Sequence, residues 1–198
     1  MNSAVKNVLC LTIITLVAGV GLGFVYDVTK EPIAQMEEIT KLNAYKAVFP
    51  DAADFEDAND EIKASYEGMT YQDGSCEIDS VVVAKDASQN DIGYVINVTA
   101  HEGYGGDITI SMGVDKTGMV KGIEILKISE TAGLGMKATE PKFKDQFSNK
   151  TVTQFSYTKT GAKSDFEIDA ISGATITTKA VVNAVNTGLD FYASIKGD

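Results

Sequence analysis

The hydrophobic pattern divides the chain into two parts. A continuous apolar stretch lies near the amino terminus, and in the longer remainder apolar residues recur at helical or strand spacing among polar ones. Residues 8–26 form a run of 19 residues without a charged side chain. As an α-helix, such a run is about 28 Å long, close to the ~30 Å hydrocarbon core of a bilayer. We therefore predict one transmembrane helix at residues 8–26. We expect the tail at residues 1–7, which carries Lys6 and the α-amino group, to be cytoplasmic, although Lys30, Lys41 and Lys46 after the span would by count favour the opposite orientation. A buried core helix and a cleaved signal peptide are the alternatives.

A helical period returns after the apolar stretch. Apolar residues recur every three or four positions over residues 31–49, and Pro32 suits a first-turn position. We expect a connecting helix here, followed by an acidic loop over residues 51–74 with a short helix around Glu61 to Tyr66. Helix and loop together form the predicted connecting region, residues 27–75.

From Cys76 onward the helical spacing of apolar residues ends, and segments rich in Val, Ile, Thr and Tyr follow. They predict four strands, at residues 78–85, 92–100, 107–114 and 119–128, with a hairpin turn at residues 115–118. A short helix capped by Thr139 is predicted at residues 139–147, and a strand with a loop at residues 151–166. The final helix has an apolar stripe. The predicted fold is α+β: a single transmembrane helix, then one extracytoplasmic domain, residues 76–198, with an antiparallel sheet packed by helices.

Charge and composition narrow the function. The net charge is −11, which argues against nucleic acid as a partner. All 17 basic residues are Lys, so backbone amides or a lysine must hold any bound phosphate. Two cysteines and one histidine support neither a disulfide framework, nor a cysteine-bound iron–sulfur cluster, nor a zinc site. We find no catalytic triad or general base, and we expect no independent catalytic residues and no metal ligands.

The candidate chemistry is concentrated at the predicted start of the last helix. Ser172, Gly173 and Thr175 are typical of a helix start, and apolar residues at helical spacing follow them. Free backbone N–H groups and the positive end of the helix dipole meet there, so the segment could hold an anionic phosphate. The alternative is that these residues only cap the helix.

Two glycine-rich segments accompany this helix start. Residues 101–107 contain three glycines around Tyr104, which permit close approach of another group; a tight inter-strand turn is the alternative. In residues 129–135, backbone amides could lie against a flat ring while Leu134 packs on its face. Neither segment is a G-x-G-x-x-G element in a βαβ setting, so a Rossmann site is not indicated.

The segment Asp169-x-x-Ser172-Gly173-Ala174-Thr175-x-Thr177 resembles the flavinylation motif of the FMN-binding domain family. In that family the last threonine is joined to FMN through a phosphoester, and the resemblance places this bond on Thr177. The two glycine-rich segments also resemble family loops near the cofactor, with Ala132 in place of a proline. The implied FMN-binding residues are Thr177, Ser172, Gly173, Ala174, Thr175, Glu130, Thr131, Gly133, Leu134, Gly135, Tyr104 and Gly105.

Over most of its length the chain resembles the G subunits of Rnf complexes, which are ion-translocating ferredoxin:NAD⁺ oxidoreductases of the membrane. The resemblance implies an electron-relay subunit in the inner cell membrane, with a single span and its main domain outside the cytoplasm. It implies other membrane and iron–sulfur subunits as partners, contact with membrane lipid, and maturation by a flavin transferase. Two alternatives remain: a C subunit of a Na⁺-translocating NADH:quinone oxidoreductase, and a membrane-anchored binding or scaffold module without flavin.

Overall fold

The computed structural model describes residues 2–68 and 71–196, with the backbone alone at Asp73. The predicted limits at residues 1 and 198, and residues 69–70 of the predicted acidic loop, lie outside the described part. The chain forms two compact units, Met1–Thr40 and Lys41–Asp198. They are described separately below.

The first unit is made of the greater part of α1 (Ser3–Val48), whose residues up to Thr40 are exposed. Among the described residues, α1 is the helix long and apolar enough to cross a membrane, and its most apolar window has a mean hydropathy of 2.5. The hydroxyls of Thr12 and Thr15 donate to the carbonyls of Val8 and Leu11, at 2.9 and 3.1 Å. Polar side chains in the apolar run are thus satisfied within the helix itself.

The predicted first-turn position of Pro32 is wrong. Residues 27–30 are helical, and Pro32 lies inside α1 rather than in the first turn of a second helix. Proline removes one backbone donor but leaves the remaining i to i−4 bonds of the helix available. The helix continues past Pro32 to Val48, and residues 27–48 contain no glycine that would weaken it further.

The second unit is built on a five-stranded antiparallel sheet in chain order. The strands are β1 (Asp54–Asp57), β2 (Cys76–Lys85), β3 (Asp91–Ala100), β4 (Ile108–Asp115) and β5 (Val120–Lys127). The four predicted strands are confirmed as β2 to β5, and Asp115 forms the predicted hairpin turn by accepting from the amides of Thr117 and Met119 at 2.8 and 3.0 Å.

An edge strand and a short helix occupy the region predicted as acidic loop. The loop prediction is wrong for β1, whose Asp-Phe-Glu-Asp sequence has little strand propensity and becomes a strand by pairing with β2. The short helix is confirmed as α2 (Asp60–Tyr66), and the Asn59 side chain caps it by accepting from the amide of Ile62 at 2.9 Å.

Helix α4 (Thr175–Lys196) covers one face of the sheet and completes the main core. Its fully buried Val181, Val185 and Phe191 join Ile96 and Met112 in this core. A Cβ at Gly188 would collide with the Met112 methyl group, so the interior glycine lets the helix approach the sheet. The opposite sheet face is covered by a second cluster of buried residues: Tyr45, Val48, Phe49, Val82, Ala84 and Val95.

The chain between β5 and α4 carries short elements rather than one helix. The predicted helix at residues 139–147 is a 3₁₀ turn (Gly135–Thr139), α3 (Pro141–Lys144) and a second 3₁₀ turn (Asp145–Phe147). Thr139 is not the cap, because its hydroxyl donates to the Met136 carbonyl at 2.9 Å and Glu140 holds the N-cap position. Beyond them, β6 (Ser156–Thr158) pairs in parallel with β7 (Glu167–Asp169), where the sequence predicted one strand.

Candidate functional site

A tight turn precedes α4 and is fastened by Thr178. Gly173 adopts a φ of +77°, a conformation that glycine takes without strain. The Thr178 hydroxyl accepts from the Ile171 amide and donates to the Ala174 carbonyl, both at 3.0 Å. Ser172 is exposed and its side chain makes no hydrogen bond with the described residues, so the structure does not support it as the helix cap. Sequence reasoning missed the fastening role of Thr178.

The first turn of α4 leaves backbone donors available. The first helical bond runs from the Thr178 amide to the Ala174 carbonyl at 3.0 Å. The amides of Thr175, Ile176 and Thr177 have no partner among the described residues. They lie at the positive end of the dipole of a 22-residue helix. This end of α4 therefore suits a negatively charged group.

A cavity of about 550 Å³ opens at this helix start. It brings together nine of the twelve sequence-predicted residues, drawn from both glycine-rich segments and from the α4 turn. The cavity has a tenth lining residue, Ile176, which the sequence analysis did not predict. Its position between the motif residues Thr175 and Thr177 could have indicated it. The lining residues are Tyr104, Glu130, Thr131, Leu134, Gly135, Gly173, Ala174, Thr175, Ile176 and Thr177.

Three predicted residues lie outside this lining. Gly105 instead joins the two glycine-rich loops: its amide donates to the Glu130 carboxylate at 3.2 Å, and a Cβ there would collide with the Ser129 carbonyl. Gly133 has a φ of +75°, so it serves the turn of its loop. Ser172 lines a second, smaller cavity, which is described below. The glycines of these loops therefore permit close packing of backbone on backbone as well as access to the cavity.

Thr177 is the most enclosed hydroxyl-bearing residue of the cavity lining. It is 1% exposed, yet its Oγ1 makes no hydrogen bond with any described residue. A Cβ built on Gly135 would lie 2.7 Å from the Thr177 Oγ1 and 2.6 Å from the Glu130 Oε2. The Thr177 hydroxyl and the Glu130 carboxylate thus both lie next to the Cα of Gly135, on the side where a Cβ would be.

Two side-chain contacts hold the loop at residues 101–107, one with α4 and one within the loop. Lys179 of α4 donates to the Glu102 carboxylate at 3.0 Å, and this hydrogen bond raises the pKa of Lys179. The His101 Nδ1 lies 3.1 Å from the Asp107 Oδ1 at the opposite end of the loop. These contacts hold the loop that carries Tyr104, which is 71% exposed at the cavity.

The second cavity, of about 330 Å³, lies on the other side of the segment before α4. Asp169 of the motif lines it, but its carboxylate accepts from the Ala162 amide at 2.6 Å, which stabilises a neighbouring turn. Its backbone amide donates to the Gln146 side chain at 2.7 Å. The lining residues are Lys137, Glu140, Lys142, Phe143, Gln146, Asp169, Ala170, Ile171 and Ser172.

Comparison with known proteins gives consistent results. The family model described as FMN-binding domain matches residues 103–190, which include the cavity. The G subunit of the ion-translocating oxidoreductase complex of Methanosarcina acetivorans is 31% identical, over 97% of this chain and 96% of its own. The G subunit of the Na⁺-translocating ferredoxin:NAD⁺ oxidoreductase complex of Acetobacterium woodii is 35% identical, over 94% and 90% respectively.

Solved structures share the fold over part of the chain. NqrC of Shewanella oneidensis matches with a TM-score of 0.50 and 20% identity. The C subunit of the Na⁺-translocating NADH-quinone reductase of Parabacteroides distasonis matches with a TM-score of 0.51 and 24% identity. Each match covers 60% of this chain, and 61% and 62% of the respective solved chains. At these identities the likeness establishes the fold alone.

Proposed function

The chain belongs to the family of G subunits of ion-translocating oxidoreductase complexes, and on that premise we propose that it carries FMN joined covalently to Thr177 through a phosphoester. The chain is an electron-transfer subunit of a membrane-associated redox complex and contains an FMN-binding domain. FMN, when bound, supplies the one- and two-electron chemistry, and the polypeptide supplies attachment, orientation and electrostatics.

The observation that carries the proposal is the position of the Thr177 hydroxyl. Thr177 lines the cavity and is buried as a residue, and its Oγ1 makes no hydrogen bond with any described residue. A phosphodiester at this oxygen would lie beside the amides at the start of α4, for which the described residues provide no partner. These donors and the helix dipole favour a negative charge there, which matters in a chain without arginine.

The local hydrogen bonds distinguish Thr177 from the neighbouring threonines. Thr178 is fully buried, and its hydroxyl is engaged by Ile171 and Ala174. Thr175 also lines the cavity, but its side chain is half-buried rather than enclosed. Thr177 combines enclosure with an unengaged oxygen, so we expect it to be the acceptor.

The rest of the cavity suits a flat, partly apolar ring system. Leu134, Ile176 and Tyr104 present exposed apolar surface at the lining. The side chains of Glu130 and Thr131 add polar atoms close to them. A volume of about 550 Å³ lies within the ordinary range for cofactor sites. These residues would hold the ring, and hydrogen bonds from the backbone of Glu130 and from the backbone or hydroxyl of Thr131 would adjust its redox potential.

The same proposal covers the cellular setting of the chain. Residues 8–26 would span the inner cell membrane once, in contact with lipid, with residues 1–7 in the cytoplasm and the FMN-binding domain, residues 76–198, outside it. Its partners would be the other membrane and iron–sulfur subunits of an Rnf complex. The curated relatives favour this assignment over the Na⁺-translocating NADH:quinone oxidoreductase, for which the likeness is one of fold. A separate flavin transferase using a flavin dinucleotide would make the bond, because an alkyl hydroxyl is a weak nucleophile unaided.

The test is co-expression of the full chain with a flavin transferase, followed by denaturing electrophoresis and peptide mass mapping. Wild type should retain flavin fluorescence on the gel, with the added mass on Thr177, and Thr177→Val should lose both. Thr153→Val, the control at an exposed threonine that lines neither cavity, should keep them. Unlabelled wild-type protein would refute covalent attachment, and a mass on Thr175 would refute the assignment to Thr177.

A further inference from the structure

Thr177 is enclosed with a carboxylate that the proposed electron relay does not itself require. Glu130 is 9% exposed and lines the cavity. We propose that Glu130 is the proton acceptor that activates the Thr177 hydroxyl when the flavin phosphate is joined to it. This inference rests on the covalent attachment proposed above and names the residue of this chain that takes part in it.

The geometry around Gly135 supports this role. The Glu130 Oε2 and the Thr177 Oγ1 lie 2.6 and 2.7 Å from the point that a Cβ on Gly135 would occupy. Because the two oxygens lie 2.6 and 2.7 Å from one point, the distance between them is at most 5.3 Å. They do not form a hydrogen bond in this structure, which is common for a proton donor and acceptor before a substrate is in place.

The two carboxylate oxygens of Glu130 have different surroundings. Oε1 accepts from the Gly105 amide at 3.2 Å, which joins the glycine-rich loops. Oε2 has no hydrogen-bond partner among the described residues. One oxygen therefore positions the side chain while the other can receive a proton. Tyr104 is the other titratable side chain in the cavity lining, and it is mostly exposed.

The reaction balances without an oxidant or reductant. The O–H bond of Thr177 breaks, and its proton passes to the Glu130 Oε2. The Thr177 Oγ1 forms a bond to the flavin-side phosphorus of a flavin dinucleotide. The bond from that phosphorus to the bridging oxygen breaks, and adenosine monophosphate leaves. Glu130 then releases the proton to solvent, so the cavity regains its original charge at this residue.

The experiment compares Glu130→Gln with wild type in the full chain. Glutamine keeps an acceptor oxygen for the Gly105 amide but cannot serve as the proton acceptor, so the loop contact is preserved. With transferase and flavin dinucleotide supplied, the initial rate of flavin attachment is measured by mass spectrometry across acidic to mildly alkaline pH. We expect a loss of about 100-fold or more, and the ratio of wild-type to variant rates should fall toward acid pH. Glu130→Asp should restore part of the rate together with its pH dependence.

Glu140→Gln is the matched control, because it removes a carboxylate from the second cavity. It should attach flavin at the wild-type rate. Thermal melting of each variant shows whether it is folded. Attachment to Glu130→Gln at the wild-type rate, or a loss that is equal at every pH, would overturn the role of Glu130. Absence of flavin from wild type would instead contradict the covalent attachment itself.

Discussion

Two cavities flank the segment that leads into α4, and they differ in the residues that line them. The larger is lined by glycine-rich loops and the first turn of α4, and no lysine is among the described residues of its lining. The smaller contains Lys137 and Lys142 together with two carboxylates. A search for a phosphate site guided by charged side chains would choose the smaller one. The amides at the α4 start, which have no partner in the described part of the chain, and the unbonded hydroxyl of buried Thr177 instead favour the larger.

The comparison also separates the roles within the motif. Asp169 and Ser172 lie at the smaller cavity, whereas Gly173 to Thr177 line the larger one. Asp169 stabilises a turn through the Ala162 amide. The first part of the motif therefore shapes the backbone that presents the second part. Four sets of substitutions test this division, beginning with the largest expected effect.

Gly135→Ala should damage the larger cavity most. Its methyl group would lie 2.6 Å from the Glu130 Oε2 and 2.7 Å from the Thr177 Oγ1, so both side chains must move. We expect at least about a tenfold loss of flavin attachment and a loss of about 1–3 kcal/mol in the free energy of unfolding. In-gel fluorescence and urea unfolding measure the two effects. Ser172→Ala, at the smaller cavity, is the control, and an equal loss in both variants would contradict the comparison.

Thr178→Val should destabilise the turn that separates the cavities. The substitution leaves the buried Ile171 amide without its acceptor at 3.0 Å. An unsatisfied buried donor costs about 1–3 kcal/mol, measurable by urea unfolding. Thr178→Ser should recover most of the stability, because it restores the hydroxyl. If Thr178→Val were as stable as wild type, the fastening role of Thr178 would be wrong.

Lys179→Gln should make the loop at residues 101–107, which carries Tyr104 at the larger cavity, more mobile. The substitution weakens the contact with Glu102, which lies at an exposed surface and is screened by salt. We expect faster amide hydrogen exchange in residues 101–107 with little change in the melting temperature. The raised pKa of Lys179 means that the ion pair persists at neutral pH and is lost as the pH rises through that value. Unchanged exchange at low ionic strength would show that the loop does not depend on this pair.

Removing the lysines of the smaller cavity should have the least effect. We expect Lys137→Gln and Lys142→Gln, alone or combined, to reach the wild-type flavin content after exhaustive labelling. Neither residue lines the larger cavity, and the amides of α4 are unchanged by the substitutions. Absorbance of the purified protein measures the flavin content. A substantial loss would mean that the smaller cavity also holds part of the cofactor.

Local sequence signals were sufficient for most elements but not for all. Strands β2 to β5 and the hairpin turn at Asp115 follow from β-branched residues and turn chemistry, which act over a few positions. Strand β1 escaped prediction because its acidic sequence depends on the pairing partner rather than on propensity. The first-turn position predicted for Pro32 was wrong, because the residues before it are also helical and Pro32 lies inside α1.

The order of residues was enough to establish the apolar segment, the succession of the strands, and the three short motifs that indicate a flavin site. It could not decide which motif residues face the same space, because that depends on how distant loops meet. In the folded chain the side chains of Glu130 and Thr177 both lie next to Gly135. The Thr178 hydroxyl forms hydrogen bonds in the turn before α4, and Ser172 lines the smaller cavity. Motifs record residue types at fixed spacings, whereas the path of the backbone between them decides which atoms come within reach of one another.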